Sequence, residues 1–114
     1  MSLLFRIPLS LRRRQPYIDW ANSTETDVLM TPELASAPGV YLVGPGEDEE
    51  ETLEQLLDAR WPEIFECELA GWMEDESAWP SERTRDMFDA WFEVALGAGV
   101  IDLDPATPLT DADA

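Results

Sequence analysis

Carboxylates are the only plentiful reactive groups in this chain. Of its 114 residues 25 are Asp or Glu, against seven arginines, no lysine and no histidine, for a formal net charge of −18. Without an imidazole there can be no Ser-His-Asp or Cys-His arrangement and no histidine metal site. The single cysteine, Cys67, excludes a four-cysteine zinc site and an internal disulfide. It lies between Glu66 and Glu68, whose charge raises a thiol's pKa and argues against an activated nucleophile. No Gly-x-Gly-x-x-Gly run or lysine-bearing phosphate loop is present. Gly44-Pro45-Gly46 is glycine-rich, but the acids that follow it would repel a phosphate.

Carboxylate chemistry remains. Glu63 and Glu66 stand three apart, as do Glu47 and Glu50, so each pair can face one way on a helix. Such pairs can act as general acid and base, or hold Ca²⁺ or Mg²⁺ through oxygen. The calcium-loop spacing is absent, however, and exposed acids opposite an apolar stripe account for the same residues without further assumption. The expectation is therefore no catalytic residue, no cofactor and no metal. Arg83 and Arg85, beside Glu82 and Asp86, read as surface ion pairs.

The aromatic residues carry more information. Trp20, Trp61, Trp72, Trp79 and Trp91 exceed what so small a core requires, and tryptophan is enriched in interface hot spots. One or two of them left exposed beside the acids would form a patch selecting basic partners. Burial of all five would remove that argument. The candidate partner-binding residues are Trp61, Trp72, Trp79, Glu63 and Glu66.

Charge is unevenly placed. Residues 1–14 hold four arginines and no acid, whereas residues 47–93 hold 17 acids against Arg60, Arg83 and Arg85, a net of −14. The isoelectric point near 4.1 disfavours direct binding to nucleic acid or to an anionic membrane. The basic arm can fold back on the acidic body, grip a second copy and so make a homo-oligomer, or bind something else. No apolar run approaches the ~20 residues of a membrane span. In residues 3–11 the apolar stretch precedes its arginines, the reverse of a secretory signal, so a soluble cytoplasmic protein is expected.

Four stretches must position these residues: a basic arm or edge strand over 1–20, a loop-rich segment over 21–38, an α+β core over 39–104 and a flexible acidic tail over 105–114. Residues 5–12 alternate apolar and polar as a half-buried strand does, and Pro8 places that strand at an edge. Pro16, Pro32 and Pro38 mark 13–38 as mostly loop, with 27–30 a short strand and Tyr17, Ile18 and Trp20 laid over the core. The β-branched and aromatic run 39–43, fenced by glycine and proline, is the clearest strand.

From residue 48 the period changes. Acids at 48–51 favour a helix start, and Leu53, Leu56 and Leu57 mark a helix ending near Arg60. Pro62 opens a second, with Trp61, Phe65, Leu69 and Trp72 on one face and Gly71 near its end. Ser81 caps a third, whose apolar face joins Met87, Trp91 and Val94 to Phe88, Phe92 and Leu96. Residues 100–103 read as a last strand paired with 40–43, preferred over a tail laid across the helices because a lone strand at 40–43 would leave its backbone groups unpaired. The expected fold is a single α+β domain, three helices packed on a small sheet of two to four strands.

Glu63-Ile64-Phe65-Glu66-Cys67-Glu68-Leu69-Ala70-Gly71-Trp72, then Trp79-Pro80 and Met87-Phe88-Asp89-Ala90-Trp91-Phe92, resembles a family of small acidic uncharacterised bacterial proteins. The likeness covers residues 39–104. It implies a bacterial origin and a compact fold, and no activity. The function expected from the residues is a non-enzymatic interaction or regulatory module offering an acidic, partly aromatic surface to a basic protein. Two alternatives stand beside it: a nucleic-acid mimic that blocks a nucleic-acid-binding protein, and a small carboxylate-based enzyme or cation-binding protein. A third explanation assigns the acidity to host salt or genome composition.

Overall fold

In the computed structural model, the structure describes residues 2–4, 6–24, 28–44 and 52–108, with the backbone alone for 2–4. The elements in chain order are β1 (Ser2–Leu4), β2 (Ile7–Arg13), α1 (Gln15–Ser23), α2 (Pro32–Ser36), β3 (Gly39–Val43) and α3 (Leu53–Trp72). A 3₁₀ turn (Glu76–Ala78), α4 (Arg85–Trp91), β4 (Phe92–Leu96) and β5 (Val100–Asp102) follow. The α+β class holds, with four α-helices where the sequence predicts three.

Three strands pair antiparallel in the order β3-β2-β4. The strand predicted at an edge because of Pro8 is thus the central one. Its register explains why proline fits. The Gly97 N–H donates to the Pro8 carbonyl at 2.8 Å, so the backbone of Pro8 faces β4. The β2–β4 ladder ends one rung earlier, at Leu9 opposite Leu96. The missing N–H of Pro8 therefore falls just past the ladder, where it removes no internal bond. Leu9 and Leu11 on the inner face are fully buried. The core is accordingly not confined to residues 39–104.

The last strand does not join β3. β5 pairs with β1, Ser2 opposite Asp102 and Leu4 opposite Val100, in a separate two-stranded ribbon. β2 already occupies the inner edge of β3, and the chain leaving β4 runs on beside the segment preceding β2. Leu4 and Leu9 are five residues apart while their partners Val100 and Leu96 are four apart, so the two ladders differ in register by one residue.

The stretch 13–38, predicted to be mostly loop, contains α1 and α2. Pro16 and Pro32 occupy the first turns of these helices, and the Thr31 side chain accepts from the Leu34 N–H at 3.2 Å to cap α2. Tyr17, Ile18 and Ala21 then share a buried face. Val28 to Met30 form no strand, and Asp27 lies outside the described residues.

The two helices expected around Pro62 are one, α3, of 20 residues. A capping box of Thr52 and Gln55 begins it; the acids at 48–51 lie outside the described residues. Proline inside a helix costs about 3 kcal/mol through its lost bond and its clash with the preceding turn. Here Leu57, Trp61, Ile64, Phe65, Glu68, Leu69 and Trp72 keep one unbroken phase across it, and burying that stripe outweighs the defect.

The third predicted helix is cut short. α4 begins at the cap Thr84, which accepts from the Met87 N–H at 3.1 Å, and Ser81 is not its cap. The chain turns from helix to strand at Phe92 without a loop. Phe92, Val94 and Leu96 also fit a period of two, and β2 needs a partner on its second side. Phe65 anchors the core between both segments, its ring centroid 6.0 Å from Phe88, 5.4 Å from Trp91 and 5.3 Å from Phe92.

Candidate functional site

The five predicted partner-binding residues do not form one patch. Trp61 and Glu63 are two residues apart on α3, about 200° around the helix, so they face different ways. Glu63 is held by Arg60 at 2.9 Å. Glu66 turns instead to Arg83 at 3.3 Å, whose guanidinium carbon lies 5.8 Å from the Trp79 ring centroid. Trp72 is elsewhere: its indole N–H donates to the Ala21 carbonyl at 2.9 Å and the Thr24 hydroxyl at 3.0 Å. All five tryptophans are half-buried against the core, neither wholly inside nor free on the surface. Glu47 and Glu50 lie outside the described residues.

Trp61 does border an acidic site that the sequence did not single out. Its ring is 6.5 Å from Phe88, which projects from α4 between Arg85 and Asp89. Arg85 is held by three carboxylates: Glu54 at 2.8 Å, Asp58 at 2.5 Å and Asp89 at 2.9 Å. Burial works to lower the Arg85 pKa, but the bond to Asp89 and the charges of Glu54 and Asp58 outweigh it and raise it. The three acids remain 72%, 66% and 52% exposed, so one guanidinium leaves two carboxylate charges unneutralised on open surface. Beside this cradle lies an open depression of about 230 Å³ lined by Arg14, Glu54, Arg85 and Asp89 over a floor of Leu57 and Phe92.

A second polar cluster is buried. Glu68 is 6% exposed, and its carboxylate accepts from Arg13 Nε at 2.6 Å and from the Tyr41 hydroxyl. The Tyr17 hydroxyl donates to the Glu68 carbonyl at 2.7 Å, and Arg13 Nη1 donates to the Ala37 carbonyl at 2.8 Å. The cluster ties β2, β3, α1 and α3 together. Desolvation, reinforced by Glu68, raises both tyrosine pKa values well above the ordinary phenol range. Every buried side-chain polar atom among the described residues has a partner, so the cluster has no orphaned group aimed at a ligand. Two signals in the sequence point to it. Glu68 is in phase with Ile64 and Trp72 on the apolar stripe, and Arg13 shares the inward parity of Leu9 and Leu11.

The basic arm therefore folds back on its own body at Arg13. Arg12 donates to the Ser36 carbonyl at 3.2 Å. Cys67 is exposed, and partial burial, then Glu68, Glu63 and Glu66, push its thiol up. Among the described residues no group of three metal-ligating side chains is placed to hold an ion, and no helix is long and apolar enough to cross a membrane. No family model, curated protein or solved structure matches the chain.

Proposed function

We propose that this chain is a non-enzymatic interaction module that works inside the cell and binds an arginine-bearing segment of a basic protein. The α3–α4 face is the docking surface, with Trp61 at its border. The observation that carries this reading is the Arg85 cradle: three exposed carboxylates already arranged around one guanidinium, with negative charge to spare. Exposed ion pairs are worth only ~0–1 kcal/mol each, so an incoming arginine can share these carboxylates at little cost. Long-range attraction from the net charge of −18 would speed the encounter with a basic partner.

The test compares two triple variants in titrations with an arginine-rich peptide at low and high salt. Neutralising the cradle (Glu54→Gln, Asp58→Asn, Asp89→Asn) should weaken binding at least ~tenfold more than neutralising Glu74, Glu76 and Glu82. Equal losses would reduce the effect to net charge and remove the site.

A further inference from the structure

The sheet order leaves β3 at an edge, and its outer side is unpaired among the described residues. Because the Pro8 backbone faces β4, alternation turns Ile7, Leu9 and Leu11 toward β3, bonded to Val43, Tyr41 and Gly39. The N–H and C=O groups of Val40 and Leu42 consequently point outward, and their side chains are 60% and 46% exposed. Edge strands are commonly protected by lysine, proline or a bulge. Gly39-Val40-Tyr41-Leu42-Val43 has none of these and no charge, in a chain of which 28% is charged.

Next to that edge runs a groove of about 110 Å³ between β3 and α3, lined by Tyr41, Leu42, Val43, Ile64 and Cys67 with the Arg60–Glu63 pair at its rim. A strand laid beside β3 would send alternate side chains into this groove and the others over the open sheet face, next to Val40 and Leu42.

We propose that the β3 edge accepts an extended peptide segment of a partner protein as a fourth strand, with basic side chains on the groove side, where they reach Glu63, and apolar ones over the open sheet face against Val40 and Leu42. The main-chain bonds to Val40 and Leu42 provide the register and the groove the selectivity, as in strand addition generally. Glu63 is 67% exposed and its pair with Arg60 lies on open surface, so it can exchange its cation for one from the peptide. A peptide is the occupant favoured over a second copy, because two chains of −18 repel each other and a five-residue edge offers little area against that repulsion. The basic character of the segment rests on the function proposed above; the added strand does not.

The probe is a short synthetic peptide alternating arginine and valine, with two copies N-methylated on complementary sets of alternate amides. Charge is the same in all three. One methylated copy should bind the wild-type protein at least ~tenfold more weakly than the unmodified peptide, and the other about as well, since only one set of amides faces β3. Saturating peptide should slow alkylation of Cys67, the chain's one thiol, by at least ~fivefold. Leu42→Pro removes an outward donor without touching a β2 bond and should weaken binding ~tenfold. Both methylated copies binding as tightly as the parent, an unchanged Cys67 rate, or a self-dimer abolished by Leu42→Pro would each overturn the proposal. The wild-type measurements decide even if that variant does not fold. Loss of the cradle effect with the amide pattern intact would remove the arginine-docking reading alone.

Discussion

Gly97 packs directly against Pro8. Its N–H donates to the Pro8 carbonyl at 2.8 Å, and a β-carbon on Gly97 would lie 2.6 Å from Pro8 Cγ, inside any tolerable contact. The pyrrolidine ring cannot swing away, so Gly97→Ala should destabilise the fold by about 1–3 kcal/mol through overpacking. In a Pro8→Ala background the same substitution should cost much less. Denaturant titrations of the two single variants and the double variant measure that coupling, and additive effects would show that the contact does not constrain Gly97.

The Arg13–Glu68 pair should behave as a buried ion pair does. Glu68→Ala leaves the Arg13 guanidinium without its carboxylate and should cost about 3–5 kcal/mol. Replacing both residues by leucine should recover much of that loss, because the apolar pair strands no charge. Urea unfolding monitored by tryptophan fluorescence distinguishes the two outcomes.

Alkaline unfolding follows from Tyr17 and Tyr41, the only two tyrosines in the sequence. Both have folded-state pKa values raised above the ordinary value of 10.0, by burial first and by Glu68 next. The unfolded chain therefore releases these protons at lower pH than the folded one. Their contribution to stability is complete below pH 10 and declines as pH rises above it. Tyrosinate absorbance should emerge together with loss of tertiary structure. Tyr41→Phe should flatten the alkaline decline and, at neutral pH, cost about 1–2 kcal/mol through the lost bond to Glu68.

The start of α4 can be located by substitution. Thr84→Ala should cost about 1 kcal/mol, because the Met87 N–H loses its acceptor. Ser81→Ala, at an exposed position outside the helix, should stay within ~0.5 kcal/mol. Thermal melts of the two variants provide the comparison.

Among the elements, β3 was legible because its composition and flanking residues left no competing interpretation. The aromatic stripe of α3 was legible because its 3.6-residue phase is carried by large side chains. The break placed at Pro62 was not real: a local rule about proline met a stripe whose burial crosses it. The run from Met87 to Leu96 fits both periods, and no local signal chooses between them. Pairing with β2, a strand some eighty residues earlier in the chain, makes its second half a strand.

The candidate sites divide the same way. The excess of acid and the surplus of tryptophan were visible from composition, whereas the half-burial of those rings and the grouping of Glu54, Asp58 and Asp89 around Arg85 depend on how the helices pack.

Composition and periodicity alone determined the α+β class, the acidic exterior and the inward rings of Phe65 and Phe88, because transfer from water depends on residue type and spacing. Only tertiary structure decided that β2 is central, that Glu68 meets Arg13, and that β3 stands at the end of the order β3-β2-β4. Each of those depends on a partner distant in sequence, and no nearest-neighbour preference encodes which one it will be.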